Sequence, residues 1–342
     1  MSEKSSTWNA PQTLWAGILF SLIFTAVIWA VRPLMIQVDF LPDQGPSWYF
    51  WKLPEATFWS RATAWGGYLL HQVALWGLIF YAQKQKLKYS NGLRPFNLVA
   101  LGVNAFFIVL HLFQTAIWYD GLAQDVSIWS SQGSVILMLV VILLMENQRR
   151  GLFFGQKINF LRTSGQVARQ YHGYIFAWAV VYTFWYHPME NTIGHLLGFL
   201  YTFFLMLQGS LIFTRTHVNK YWTVVLEVMV LIHGAIVAMQ TQTVWPMFLF
   251  GFFTLFIVTQ MHGLGLSRAW KWLFVAIYAL SVIIVYSSRG WANVNEVLRI
   301  PIVEYALVFV LALIIWLGMF LGRWVGKLVG WSSSQQTAAA GD

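Results

Sequence analysis

Ten apolar segments, each about 20 residues long, alternate with short polar connections along the chain. A helix of that length spans the hydrocarbon core of a bilayer, because each residue adds about 1.5 Å of rise. The segments predict helices at residues 12–37, 60–82, 96–118, 129–146, 168–187, 192–214, 221–240, 243–262, 270–287 and 301–322. The pattern therefore predicts an all-α fold, a polytopic transmembrane bundle of about ten membrane-spanning helices.

The longest connection, residues 37–59, contains three Pro and a cluster of aromatic residues. Because Pro interrupts helices and Trp and Tyr favour the headgroup region, we expect this segment to lie along the interface. The first apolar run is too long for the core of a signal peptide, so we expect it to remain as a helix. We predict a cytoplasmic tail at residues 1–11, a single transmembrane domain at 12–328 and a disordered cytoplasmic tail at 329–342.

Composition and charge agree with a membrane protein. The chain is 58% hydrophobic and 10% charged, with a mean hydropathy of +0.60. Five of the 21 Lys and Arg fall in connections that follow odd-numbered helices, and the other sixteen lie on the opposite side. The positive-inside rule then predicts that both termini are cytoplasmic, in the inner (plasma) membrane of a bacterium. The net charge of +9 is an orientation signal, so the expected partner is the lipid bilayer and not nucleic acid.

Ionisable residues inside the apolar segments mark two candidate sites, since such residues in hydrocarbon usually serve a function. An outer cluster, at the end opposite the termini, contains His111, His187, Glu190, His195 and His233. The helical rise places His111 and His233 at one depth, roughly 10 Å below the outer end. His187 and Glu190 lie in the turn just before His195, at the start of the sixth helix. We therefore expect the five side chains to converge.

An inner cluster lies toward the cytoplasmic end. It contains His172, Gln208 and Glu227, each about six residues or roughly 9 Å from that end. His217 and His262 lie at the inner boundary, where a solvated structural histidine is the simpler interpretation. His71 is near mid-membrane and is placed to link the two levels. Each of these residues has a structural alternative, because a polar residue in a membrane helix often only bonds a neighbouring helix.

The first hypothesis for the chemistry is a metal or haem site in the outer half. The chain has no Cys, so a transition metal or haem b would need imidazole or carboxylate ligands. His111, His187, His195 and His233 are the candidate metal ligands, and His111, His233 and His71 the candidate cofactor-binding residues. The protein would then be a membrane oxidoreductase or electron-transfer protein acting on a lipophilic substrate.

Two alternatives remain open. A membrane-embedded transferase or hydrolase would use a histidine as general base on a lipid-linked substrate. The candidate catalytic residues for either enzyme are His195, Glu190, His172 and Glu227. A proton or small-solute transporter would use the histidines as a relay. Transporters often have broken helices, however, and Pro33, Pro188, Pro246 and Pro301 all lie at predicted helix ends. The sequence does not decide the oligomeric state.

Overall fold

The computed structural model describes residues 9–45, 47–240 and 244–328. The predicted tails therefore lie outside the described residues, except for residues 9–11. Ten α-helices occur in the described ranges, and no strands. Their bounds are α1 Ala10–Val31, α2 Phe58–Lys84, α3 Pro95–Ile117, α4 Ile128–Arg150, α5 Arg162–Tyr186, α6 Ile193–Ser210, α7 Lys220–Gln240, α8 Trp245–Val258, α9 Arg268–Arg289 and α10 Glu296–Leu328. The predicted all-α bundle and its helix order are confirmed.

Eight of these helices, counted over the described residues, are long and apolar enough to span a membrane. The other two, α2 and α5, have 27 and 25 residues, which is also sufficient length. They are less apolar because they carry polar residues that face neighbouring helices, such as His71 on α2 and Ser164 on α5. The chain is thus an integral, multi-pass membrane protein.

Several helices extend beyond the predicted apolar segments. The α4 helix continues to Arg150, whose guanidinium pairs with Glu227 at 2.8 Å. The α10 helix begins at Glu296, which pairs with Arg289 at 2.9 Å, so Pro301 lies inside the helix and not at its end. Apolarity alone misses these turns, because a charged residue continues a helix when a partner satisfies it. The expectation that no span contains an interior Pro was wrong at this position.

Contacts between the connections show that consecutive helices run in opposite directions. At one end, which we call the inner end, Ala10 N donates to Asn91 O and Phe154 N donates to Val258 O. At the outer end, the Arg32 side chain after α1 bonds Glu190 before α6. The fold therefore has the alternation that the sequence predicts. Which end faces the cytoplasm stays a prediction.

The α5 helix lies at the centre of the bundle and packs against α2, α4, α6 and α10. Its outer half contains Trp185, the largest fully buried side chain among the described residues, between the fully buried Phe184 and Tyr186. Only 6% of the most apolar 18-residue stretch of α9 is buried within the protein. Its exposed apolar side chains suit contact with lipid, so the bundle has a protein-lined centre and a lipid-facing surface.

Candidate functional site

The outer cluster contains a buried ion pair that joins three separate parts of the chain. Arg32 Nη2 donates to Glu190 Oε1 at 2.7 Å, and the Tyr119 hydroxyl donates to the same oxygen at 2.7 Å. Both charged side chains are 5% exposed. Burial, with the neighbouring Glu190 carboxylate, raises the pKa of Tyr119, so its hydroxyl stays a donor. These contacts of Glu190 tie the end of α1 to two outer connections, and its catalytic role stays a prediction.

A second outer network runs through Tyr49, in the connection between α1 and α2, whose ring packs against Tyr186 and His187. Its hydroxyl lies 3.0 Å from His187 Nδ1 and 3.1 Å from His195 Nε2, and His195 Nδ1 lies 2.7 Å from Thr192 Oγ1. All the bonds are satisfied when His187 Nδ1–H donates to Tyr49 and Tyr49 donates to His195. Burial lowers the pKa of His187 and raises that of Tyr49, so this network is uncharged.

His111 and His233, the pair predicted to lie at one depth, contact neighbouring residues of α6. His111 Nε2 donates to His187 O at 2.8 Å, and its ring lies 6.1 Å from the Phe199 ring. The His233 ring lies against Gly198, where a Cβ would be 3.0 Å from Nε2. Among the described residues, no group of three or more His, Asp or Glu is arranged to hold a metal ion. Shared ligation by the pair stays a prediction.

His71 has hydrogen-bond partners at both ring nitrogens. Its Nε2 donates to Asn104 Oδ1 at 2.8 Å, and its Nδ1 accepts from Trp185 Nε1 at 3.4 Å. Trp185 in turn packs edge-on against His111, with ring centroids 4.4 Å apart. An indole N–H only donates, so it cannot accept and pass on a proton. This column is a polar seam through the bundle, and His111 Nδ1 is buried in it without a hydrogen-bond partner among the described residues.

The inner half contains a cavity of about 400 Å³, enclosed by α2 to α7. Along α5 its lining extends from Arg169 to Val180, a rise of roughly 16 Å, or about half of a bilayer core. Asn104 lies at the deep end, where it meets the polar seam. The walls are mainly apolar and include Leu75, Ile79, Met138, Ile142, Phe176 and Leu205.

The cavity mouth brings together two histidines of the inner cluster. His172 Nδ1 donates to Arg169 O at 2.6 Å, and His217 Nδ1 donates to Gln208 O at 2.8 Å. The two ring centroids are 6.2 Å apart. Each neutral ring therefore has an unprotonated Nε2, and neither Nε2 has a hydrogen-bond partner among the described residues. Burial, with a smaller contribution from His172, lowers the pKa of His217 to about 4.

Charged side chains complete the lining. Glu227 accepts from Arg150 Nη1 at both carboxylate oxygens, at 2.9 and 2.8 Å. At the mouth, Glu146 lies between Arg149, which it contacts directly, and Arg169, at 4.0 Å. The negative charge of Glu227 is thus balanced by Arg150, which lies outside the cavity lining. Two guanidinium groups share the single carboxylate of Glu146.

The structure therefore places His172, Gln208, His217 and Glu227 around one cavity, and His262 outside its lining. The cavity could not be predicted from the sequence, and Arg149 and Arg169 look there like ordinary orientation signals. One signal was present on α5, where His172, Gly173, Phe176 and Val180 recur at helical spacing and share a face. This face of α5 is polar at its inner end and apolar farther along the helix. The pattern does not reveal that the helices opposite this face leave a space.

No protein-family model, curated protein or solved structure matches this chain. The class of protein is therefore defined by the fold and the site alone. It is an integral membrane bundle with a polar seam and an amphipathic cavity, which is polar at its inner mouth and apolar toward mid-membrane.

Proposed function

We propose that the protein is a membrane-embedded hydrolase or transferase that acts on a lipid-linked substrate in the inner cavity. The observation that carries this proposal is the histidine pair at the mouth of a 400 Å³ apolar cavity. Small-molecule sites typically enclose about 300–1,000 Å³, with apolar walls and a few placed polar groups. An acyl or prenyl chain fits such walls, and its polar end would lie beside the histidines.

His172 is the proposed general base. Its Nδ1–H is held by a backbone carbonyl, as in catalytic histidines whose other nitrogen accepts a proton. As the oxygen of water, or of an acceptor hydroxyl, bonds to the carbon or phosphorus of a substrate ester, its proton passes to His172 Nε2. The ester bond then breaks, and the leaving oxygen takes that proton back. His217, with its lowered pKa, stays neutral, and where water attacks it accepts a hydrogen bond from the second O–H of that water.

Two other hypotheses remain. A metal or haem bound by the outer histidines stays a prediction, which metal analysis and an absorption spectrum of the purified protein would check. Proton transport through the bundle has less support, because the His111 to His71 connection passes through the donor-only indole of Trp185. The inner membrane of a bacterium remains the proposed location.

Occupancy of the cavity can be tested with a neutral probe, a fatty alcohol that carries a photoreactive diazirine. In phosphatidylcholine nanodiscs we expect crosslinks on lining residues such as Phe176. Gly209 lines the cavity and a Cβ added there would meet no atom within 4 Å, so Gly209→Trp should fill the cavity and abolish these crosslinks. Gly102 has equally open surroundings but lies outside the lining, so Gly102→Trp is the matched control. Equal labelling of both variants would contradict the proposal.

Catalysis can be tested by incubating the protein with a total bacterial lipid extract and a soluble small-molecule extract. Lipid mass spectrometry should find a species that the native protein consumes. We expect His172→Gln to slow its consumption about 10²- to 10⁴-fold, the usual contribution of a general base. His262→Gln is the control, since His262 also lies at the inner end but not in the cavity lining. A turnover unchanged by His172→Gln would refute the assignment.

A further inference from the structure

We infer that the substrate has an anionic head group, a carboxylate or a phosphate, bound by Arg149 and Arg169 at the cavity mouth. This inference rests on the proposed function. Both residues line the cavity, one at the end of α4 and the other on the facing side of α5. The chemical class of the ligand is therefore an anionic amphiphile, with its chain directed toward Asn104.

The charge balance of the lining favours an anion. Arg149 and Arg169 have one carboxylate between them, that of Glu146, and Arg169 is only within 4.0 Å of it. Glu227, the other acidic residue of the lining, is already paired with the buried Arg150. One positive charge at the mouth is left without a partner in the lining. An anionic head group would supply the missing charge.

The donor geometry points to the same ligand. Arg149 bonds Glu146 through Nε, and Arg169 bonds Met145 O through Nη2. The other N–H groups of these two side chains have no hydrogen-bond partner within the described ranges. The side chains are 37% and 53% exposed, so a ligand can reach them. A guanidinium fork matches two oxygens of a carboxylate or phosphate, which makes it suited to such a head group.

The spacing of residues along α5 places this head group beside the proposed base. Arg169 and His172 are three residues apart, so they are neighbours on one helix face. A head group held by Arg169 would place the first bonds of the ligand beside His172 Nε2. The chain would then follow Gly173, Phe176 and Val180 into the membrane. This order of polar and apolar contacts fits an amphiphile better than a free anion.

The test uses competitors of equal chain length against the diazirine alcohol in nanodiscs. Dodecyl phosphate and dodecanoate should reduce crosslinking at concentrations about tenfold or more below dodecyltrimethylammonium, given the strength of bonds between charged groups. Inorganic phosphate at the same concentrations should not compete. Competition by inorganic phosphate alone would overturn a lipid-linked head group and indicate a free anion site.

Variants separate this inference from the proposed function. The double variant Arg149→Gln/Arg169→Gln should lose the tenfold preference for anionic competitors but keep crosslinking of the neutral alcohol. Arg162→Gln is the control, because Arg162 is exposed on the same helix and lies outside the lining. If anionic and cationic competitors were equally effective against the native protein, the inference would fail and the cavity would still bind a lipid. If the neutral alcohol did not label the cavity, the proposed function itself would fail.

Discussion

Replacing Arg32 by Met should strongly destabilise the protein, although Arg32 lies far from the inner cavity. Its partner Glu190 would keep one donor, Tyr119, but would lose the opposite charge inside the protein. Removing one member of a buried ion pair costs about 3–5 kcal/mol, because the remaining charge is desolvated and unpaired. We therefore expect Arg32→Met to lower the free energy of unfolding by about 3–5 kcal/mol, since both side chains are only 5% exposed.

Arg61 provides a matched comparison at the same end of the bundle. It pairs with Asp125 at 2.8 Å, almost the same distance as the 2.7 Å between Arg32 and Glu190, but its side chain is 52% exposed. A surface pair contributes about 0–1 kcal/mol, since water and salt screen it. Arg61→Met should therefore cost about 3 kcal/mol less than Arg32→Met. Distance is nearly constant in this comparison, so burial decides the difference.

The free energy of unfolding can be measured in dodecyl maltoside micelles by titration with dodecyl sulfate, with helicity followed by circular dichroism. The double variant Arg32→Met/Glu190→Leu removes both charges and should be more stable than Arg32→Met alone, because no buried charge remains. If Arg32→Met and Arg61→Met lost the same free energy, the argument from burial would be refuted.

Two further predictions use neighbouring or matched positions. A Cβ at Gly67 would be 2.2 Å from the Trp185 ring, whereas one at Gly66 meets nothing within 4 Å. Gly67→Ala should thus destabilise by about 1–3 kcal/mol and Gly66→Ala should not; equal stability in thermal unfolding would contradict this packing. Burial raises the pKa of Asp120 from 3.8 to about 6, so its charge opposes folding above that pH. Asp120→Asn should stabilise by about 3 kcal/mol at pH 7.5 and by nothing below about pH 4, while exposed Asp39→Asn should show no such difference.

The Asp120 prediction also depends on local backbone geometry. Its φ of 70° lies in the left-handed region, which Asn tolerates better than most residues. Both carboxylate oxygens are buried, and this burial outweighs the nearby donors of Leu53, Gly121 and Gln124, which favour the charged form. The folded protein therefore binds the proton more tightly than the unfolded chain does, and the stability gained from the neutral form is lost as the pH rises through about 6.

The positions of the helices could be predicted because the bilayer imposes one requirement on every span. About 20 apolar residues must satisfy their own backbone bonds, and that condition is visible in a single segment. The helix ends were less predictable. At Arg150 and Glu296 the helices continue through charged residues, since partners from other helices pair with them. Those partners are distant in sequence.

The depth of each histidine was also determined by the sequence, because the rise per residue is fixed. The direction of each ring was not. His71 and His195 have both ring nitrogens bonded to protein groups, whereas the Nε2 atoms of His172 and His217 do not. Helix rotation and the identity of neighbours decide this, and neither follows from periodicity in one segment.

The sequence by itself thus determined the class of protein, the number and order of its helices, and the two levels at which polar groups lie. Only the tertiary structure decided that Glu190 pairs with Arg32 at the outer end and that the inner half contains a cavity. A cavity is the space that side chains of six helices leave unfilled. It depends on how those helices pack together, so no one segment of the sequence contains it.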